Sequence, residues 1–301
     1  MAKRGAAAVC TWRRLRARLD AGRTVSRRPA VHPFSQRGAL ALRAVVLLYV
    51  AMLVLLPLAA VLREGVSEGI MGLWRVVSAP AARDAIWLSL WTAAVVTIIN
   101  ACFGTATAWV LQRYPLPGKR LLSTLVDVPF AIPTLVTGVM LVLLFGPTRP
   151  VGRWFELHGV TVLFAPPAII LALAFITVPF VVRAVEPVLA ELDPTEEEAA
   201  ATLGATPLRT FWRVIIPALT PAIASGSLQG FARALAEFGS IVVVSGNIPH
   251  RTLTGAVYVF SEVESGRPHA AAAASLVLLA AAVLATLGAR AISRRTLVSD
   301  E

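Results

Sequence analysis

Six long apolar runs, near 39–62, 85–111, 121–145, 162–185, 214–234 and 270–290, are separated along the chain by short polar stretches. The runs are continuously apolar and do not alternate. At about 1.5 Å rise per residue, each is long enough as a helix to cross a hydrocarbon core of about 30 Å. A spanning segment must satisfy its backbone hydrogen bonds internally, and continuous runs do this as helices, not as strands of a barrel. The pattern predicts an all-α membrane protein with six transmembrane helices over 39–290. It leaves three polar parts: residues 1–38, residues 291–301, and an interruption at about 190–217.

The interruption is punctuated as a pair of helices. In "LDPTEEEAAATLGATPLRTFWRVIIPA" (Leu192 to Ala218), Asp193 is placed as an N-cap and Pro194 fits the first helical position. Glu196 completes an Asp-x-x-Glu capping box, and Gly204 can end the helix in a left-handed conformation. Thr206 and Pro207 then cap and start a second short helix that leads back into apolar sequence.

Composition agrees with the pattern: 57% of the 301 residues are hydrophobic, and mean hydropathy is +0.73. The net charge of +11 is distributed unevenly. Residues 1–38 hold Lys3, Arg4, Arg13, Arg14 and further arginines, and Arg113, Lys119, Arg120, Arg183, Arg209, Arg213, Arg290, Arg294 and Arg295 fall on the same side of the runs. Arg63, Arg75, Arg83, Arg149, Arg153, Arg251 and Arg267 fall on the other side. Short cytoplasmic loops are the basic ones, so both termini and the interruption are expected in the cytoplasm. That bias accounts for most of the excess charge, and nucleic acid is not an expected partner. Residues 1–38 are expected to be a disordered arm facing anionic lipid. The first run is longer than the apolar part of a signal peptide and lies too far in, so it is expected to stay as an anchor. Cys10 and Cys102 are too far apart in context to suggest a disulfide or a metal site.

Enzymatic patterns are missing. "PLPGKR" (Pro115 to Arg120) lacks the glycine spacing of a phosphate-binding loop and reads as a turn. His32, His158, His250 and His269 have no metal-ligand spacing, and no Gly-x-Ser-x-Gly elbow occurs. A non-catalytic chain that binds no cofactor is expected.

Ionisable residues inside apolar runs are expensive and therefore functional candidates: Asp127, Arg183, Glu186, Arg233 and Glu237. Arg233 and Glu237 stand four apart, share a helix face, and are expected to pair. Asp127, followed by Pro129 and Pro133, is expected to act in packing or gating. Pro129, Pro133, Pro179, Pro217 and Pro221 are expected to shape the helices. Donors for a pathway would come from Ser89, Thr97, Thr134, Thr137, Ser225, Ser227, Gln229 and Asn247.

The interruption resembles the cytoplasmic Glu-Ala-Ala loop of importer-type ATP-binding-cassette permeases: Glu198-Ala199-Ala200, then Gly204, then Val214-Ile215-Ile216-Pro217, with Val214 and Ile216 in place of Ile and Leu. Leu125 to Pro147, Val178 to Ala205 and Phe231 to Pro249 are similar to the sulfate/thiosulfate permeases, with molybdate permeases as the next relatives. The resemblance covers about 85–290, and Ala236 stands where a glycine is expected. It implies the type I importer permease fold, with a cytoplasmic coupling helix that uses Glu197, Glu198, Ala199, Ala200, Gly204 and Pro217. Within such a fold the pathway or gate candidates are Asp127, Thr134, Thr137, Arg233, Glu237 and Asn247, chosen for their chemistry inside apolar runs. Implied partners are an ATP-binding-cassette ATPase that uses ATP and Mg, a second and different permease, an external sulfate-binding protein, and membrane lipid of the bacterial inner membrane. Two alternatives stay open: a molybdate/tungstate permease of the same architecture, and an ATP-independent secondary anion transporter, which would carry inverted repeats that the sequence lacks. A powered route suits the cargo, since moving a dianion inward against 100 mV costs about 4.6 kcal/mol.

Overall fold

A computed structural model describes residues 36–298, which are helices joined by turns and short loops. Residues 1–35, most of the segment expected to be a disordered arm, and residues 299–301 lie outside the described part.

Contacts divide the chain after Leu56 into two units. The first holds α1 (Gln36–Val50) and a π turn, Ala51–Leu55. The second begins in α2 (Leu56–Gly65) and continues with α3 (Gly69–Ser78), α4 (Pro80–Arg113), α5 (Lys119–Ala131), α6 (Thr134–Phe145), α7 (Pro150–Leu157) and α8 (Pro166–Glu191). There follow α9 (Pro194–Thr202), α10 (Pro207–Thr210), a π turn (Phe211–Ile215), α11 (Ile216–Leu235), α12 (Gly239–Val244), α13 (Gly255–Glu264) and α14 (Pro268–Val298). Helices α4, α7, α8, α9, α10 and α14 all begin on proline, whose fixed φ and missing N–H suit the first helical position.

Leu40–Gly65, Pro80–Arg113, Pro166–Glu191, Pro207–Leu235 and Pro268–Ile292 are each long and apolar enough to cross a bilayer. The expected continuous helix over 121–145 is corrected: it is two helices, α5 and α6, bent by 109°. Proline explains the break. Pro133 offers no N–H and disfavours helical backbone at the residue before it, and Ile132 is extended at φ −83°, ψ 128°. The other prolines singled out break nothing: Pro129, Pro179 and Pro221 lie inside helices. Pro217 sits in the first turn of α11, where the preceding π turn, closed by Ile216 N–H on the Phe211 carbonyl, widens the backbone before the ring.

Helices α4, α8 and α11 form the centre of the second unit. Among the buried positions of α4, Ala82, Ala85, Ser89, Thr92, Val96 and Asn100 recur every three or four residues along one face. Leu88, Val96, Ile169, Leu173, Ala234 and Leu235 make one cluster, and Ala108, Leu111, Val181, Val182, Val185 and Leu219 make another. Between the clusters Asn100 Nδ2 donates to Thr177 Oγ1 at 2.8 Å and to the Ala174 carbonyl at 3.1 Å, satisfying a buried amide in an otherwise apolar contact.

Candidate functional site

The segment between α8 and α11 folds as its punctuation indicates, with one difference. Asp193 accepts from Thr195 N–H at 2.9 Å, so the cap closes one residue earlier than a capping box would, while Glu196 remains exposed. That hydrogen bond holds the Asp193 carboxyl below the usual carboxylate range. Gly204 has φ +80°, and its following residue closes the turn, Ala205 N–H to the Ala200 carbonyl at 3.0 Å. Thr206 caps α10 by accepting from Arg209 N–H at 3.4 Å.

The neighbouring acids of α9 face different ways. Glu197 is half-buried and forms an ion pair with Arg113, at the end of α4. Glu198 and Ala199 are exposed, and Ala200 is half-buried. Arg113 also lies over the Trp109 ring, 5.3 Å from its centroid, and Trp109 packs edge-on against Phe211 in the π turn. The segment is thus anchored at two points to α4, while Leu203, Leu208 and Trp212 are 89%, 68% and 60% exposed.

Asp127, which the sequence left without a partner, is held by Arg183. The guanidinium clamps both carboxylate oxygens, Nε to Oδ1 at 2.7 Å and Nη2 to Oδ2 at 2.6 Å. Nη2 also donates to the Ser123 carbonyl at 2.8 Å and hydroxyl at 3.0 Å, and Nη1 donates to Glu186. Glu186 accepts from Gln112 at 3.0 Å. The expected pathway or gate set therefore splits, with Asp127 in a three-helix network next to the α8–α9 junction.

Thr134, Thr137, Arg233 and Glu237 gather elsewhere. After the break, α6 lies against α12 so closely that a Cβ on Gly138 would stand 2.8 Å from the Ser240 carbonyl. A Cβ on Gly239 would collide with the Thr134 hydroxyl. Thr137 is buried and its hydroxyl has no hydrogen-bond partner. Arg233 Nη1 meets Glu237 Oε2 at 2.9 Å, and the Glu237 side chain is only 1% exposed. Glu237 Oε1 accepts from both the N–H and the hydroxyl of Ser240, at 3.0 Å each, so the carboxylate caps the start of α12. Ala236 takes φ −88°, ψ 2°, a conformation open to any residue, so the expected glycine is not required there.

Asn247 lies past the other end of α12 at φ +54°, its amide spent locally: Nδ2 donates to the Val242 carbonyl at 3.1 Å and Oδ1 accepts from Ser245 at 2.8 Å. Ser89 accepts from Gly255 N–H at 2.8 Å and joins α4 to α13. Thr97 donates within its own helix to Ala93, at 2.7 Å, while the buried Ser227 hydroxyl has no partner. Arg113, Ser123, Gln112 and Ser240 were not singled out by sequence reasoning. Arg113 and Gln112 carried a weak signal, polar residues closing a long apolar helix; Ser123 and Ser240 carried none.

The second unit thus holds a broken span and, between two long apolar helices, a capped and exposed helix pair. Residues 101–298 match the family described as "Binding-protein-dependent transport system inner membrane component". The chain belongs to that family. It is 40% identical over 243 residues to the sulfate transport system permease protein CysT of Synechocystis sp., covering 81% of this chain and 85% of that one. It is 40% identical over 238 residues to CysT of Escherichia coli (79% and 86%) and 37% identical over 253 residues to the sulfate transport system permease protein CysW of Synechocystis sp. (84% and 92%). The expectation that molybdate permeases are the next relatives is not borne out. Among solved structures, a bacterial alginate ABC transporter in complex with a periplasmic protein shares the fold, with a TM-score of 0.70 at 17% identity over 86% of this chain and 94% of that one. The family places the chain in the inner membrane as a non-catalytic, multi-span subunit, with ATP and Mg used by a separate ATPase and with a binding protein as a further partner.

Proposed function

We propose that this chain is one permease subunit of an ATP-driven importer of sulfate or thiosulfate, paired with a second, different permease and served by an external sulfate-binding protein. The names of its relatives, of both permease types, support the anion and the pairing. Both termini and the α9–α10 segment face the cytoplasm, with the bent pair α5–α6 counting as one crossing, in keeping with the distribution of Lys and Arg.

One observation carries the coupling role. The α9–α10 segment is tied inward through Glu197 and outward presents Glu198, Ala199, Leu203 and Leu208, uncovered. Such a helix can seat in a groove of the ATPase, with Gly204 turning the chain and Pro217 starting the following helix. Arg233, whose Glu237 partner is already capped by Ser240, retains guanidinium nitrogens for a passing anion, and Thr134 and Thr137 add hydroxyls beside α12. Asn247 contributes by shaping the turn after α12.

Uptake assays in a sulfate-uptake-deficient bacterial strain expressing this chain with its permease partner, ATPase and binding protein test the assignment. Radiolabelled sulfate should accumulate, and unlabelled thiosulfate should compete where molybdate does not. Accumulation of molybdate without sulfate would overturn the anion assignment.

A further inference from the structure

We propose that Arg183 is a positioning residue that transmits movement of the α9–α10 segment to the broken span, and that it does not bind the transported anion. The inference rests on the importer reading above.

The donor inventory leaves Arg183 at most one N–H, on Nη1, for an anion. A guanidinium has five N–H donors on three nitrogens, and in Arg183 all three nitrogens are engaged: Nε and Nη2 on Asp127, Nη2 again on Ser123, Nη1 on Glu186. Two carboxylates flank it, and their field repels a dianion. Arg183 is therefore a tie, and the question is what it ties.

Its contacts fall on three helices. Ser123 and Asp127 belong to α5, Glu186 to α8 alongside Arg183, and Gln112, which donates to Glu186, to the last turn of α4. Lys119 Nζ reaches Gln112 Oε1 at 3.4 Å, which closes the network onto the start of α5. Arg113, the next residue along α4, holds Glu197 on α9. Adjacent residues at the end of α4 thus hold the exposed segment with one side chain and the Arg183 network with the other.

Position along the helices makes the network mechanical. Helix α8 leads after Leu192 and Asp193 directly into α9. Asp127 is within about two turns of the break at Ile132–Pro133. Beyond the break, α6 packs on α12, whose start is capped by Glu237, the partner of Arg233. A load on α9 that tilts α8 must drag α5 through a bidentate arginine–carboxylate clamp, because fixed fork geometry resists sliding where a single contact would yield. The bend at Pro133 then converts motion of α5 into motion of α6 against α12.

The test uses the full complex in proteoliposomes, comparing wild type, Arg183→Lys and Asp127→Asn. Three quantities are read: co-purification of the ATPase, ATP hydrolysis stimulated by binding protein, and radiolabelled sulfate imported per ATP. Lysine retains the charge and loses the fork. For both variants the ATPase should co-purify and hydrolysis should stay within about 2-fold of wild type, while sulfate per ATP falls by at least about 5-fold. Equal losses of hydrolysis and import, or an unchanged ratio, would overturn the inference. If either variant fails to assemble, Asp127→Glu, which keeps both charges and moves the carboxylate out of register with the guanidinium fork, takes its place. A lowered ratio supports the inference and an unchanged one overturns it. Absence of ATP-dependent import by the wild-type complex would be a failure of the importer reading, separable from this one.

Discussion

Glu197 on α9 and Arg113 at the end of α4 form an ion pair, while Glu198, the next residue, is exposed. One acid fastens the segment to its own bundle and the other is free for a partner. Glu197→Gln should raise amide hydrogen exchange across 194–202 while leaving the protein inserted. Glu198→Lys should leave exchange unchanged and reduce co-purification of the ATPase. Reversed phenotypes would show that the assignment of the two acids is wrong.

Gly204 is left-handed with open space where a Cβ would stand, so the penalty on a substitution is conformational, not steric. Gly204→Val should cost about 1–2 kcal/mol at that residue and redirect α10, abolishing uptake with normal membrane insertion. Gly204→Asn, which tolerates this backbone, should retain most uptake. Equal loss from both would point to a different role for the position.

Asp193 is held by Thr195 N–H, and its lowered pKa sets the sign of a pH effect. A carboxyl with a depressed folded-state pKa contributes stability that is present above the unfolded value and lost as pH falls through the folded one. The first turn of α9 should therefore fray only in acid below the ordinary aspartate range, and Asp193→Ala should remove that dependence. Amide exchange at residues 195–198 measured against pH reads both.

Arg233 and Glu237 should be strongly coupled. Removing Arg233 leaves a carboxylate that is only 1% exposed, held by Ser240 alone, and breaking such a pair costs about 3 kcal/mol, the low end of the range because Arg233 is itself a third exposed. Arg233→Met with Glu237→Gln should then be less damaging to thermal stability than the two losses added. Strict additivity would show that Arg233 is not what holds the buried Glu237 carboxylate.

Reporter fusions settle the topology. A reporter after Ser299 and one in 63–84 should report opposite sides of the membrane. The same side for both would make α5–α6 a re-entrant loop and reverse the placement of the α9–α10 segment.

The sequence made the long spans and the punctuation of α9 legible, because continuous apolarity, caps and a glycine act locally. Pro133 was visible but its consequence was not: proline inside a membrane helix is often tolerated, as Pro129, Pro179 and Pro221 are here, and only the surrounding packing decides which one breaks. The pairing of Arg233 with Glu237 was legible because four residues is a helix interval. Pairing of Arg183 with Asp127 was not, since 56 residues separate them and only the fold brings α5 against α8. Arg113 was counted as an inside charge and missed as the anchor of Glu197 for the same reason.

Passage of an anion is expected to depend on a separate ATPase that acts through the α9–α10 segment. Its most direct test is ATP-dependent uptake of radiolabelled sulfate into proteoliposomes containing the chain, its permease partner, the ATPase and the binding protein, with wild type compared against a Gly204→Val, Glu198→Lys double variant. The account predicts ATP-dependent uptake by wild type and none by the variant, which stays inserted but no longer retains the ATPase on purification. Uptake by wild type without ATP, or normal uptake by the variant, would contradict it.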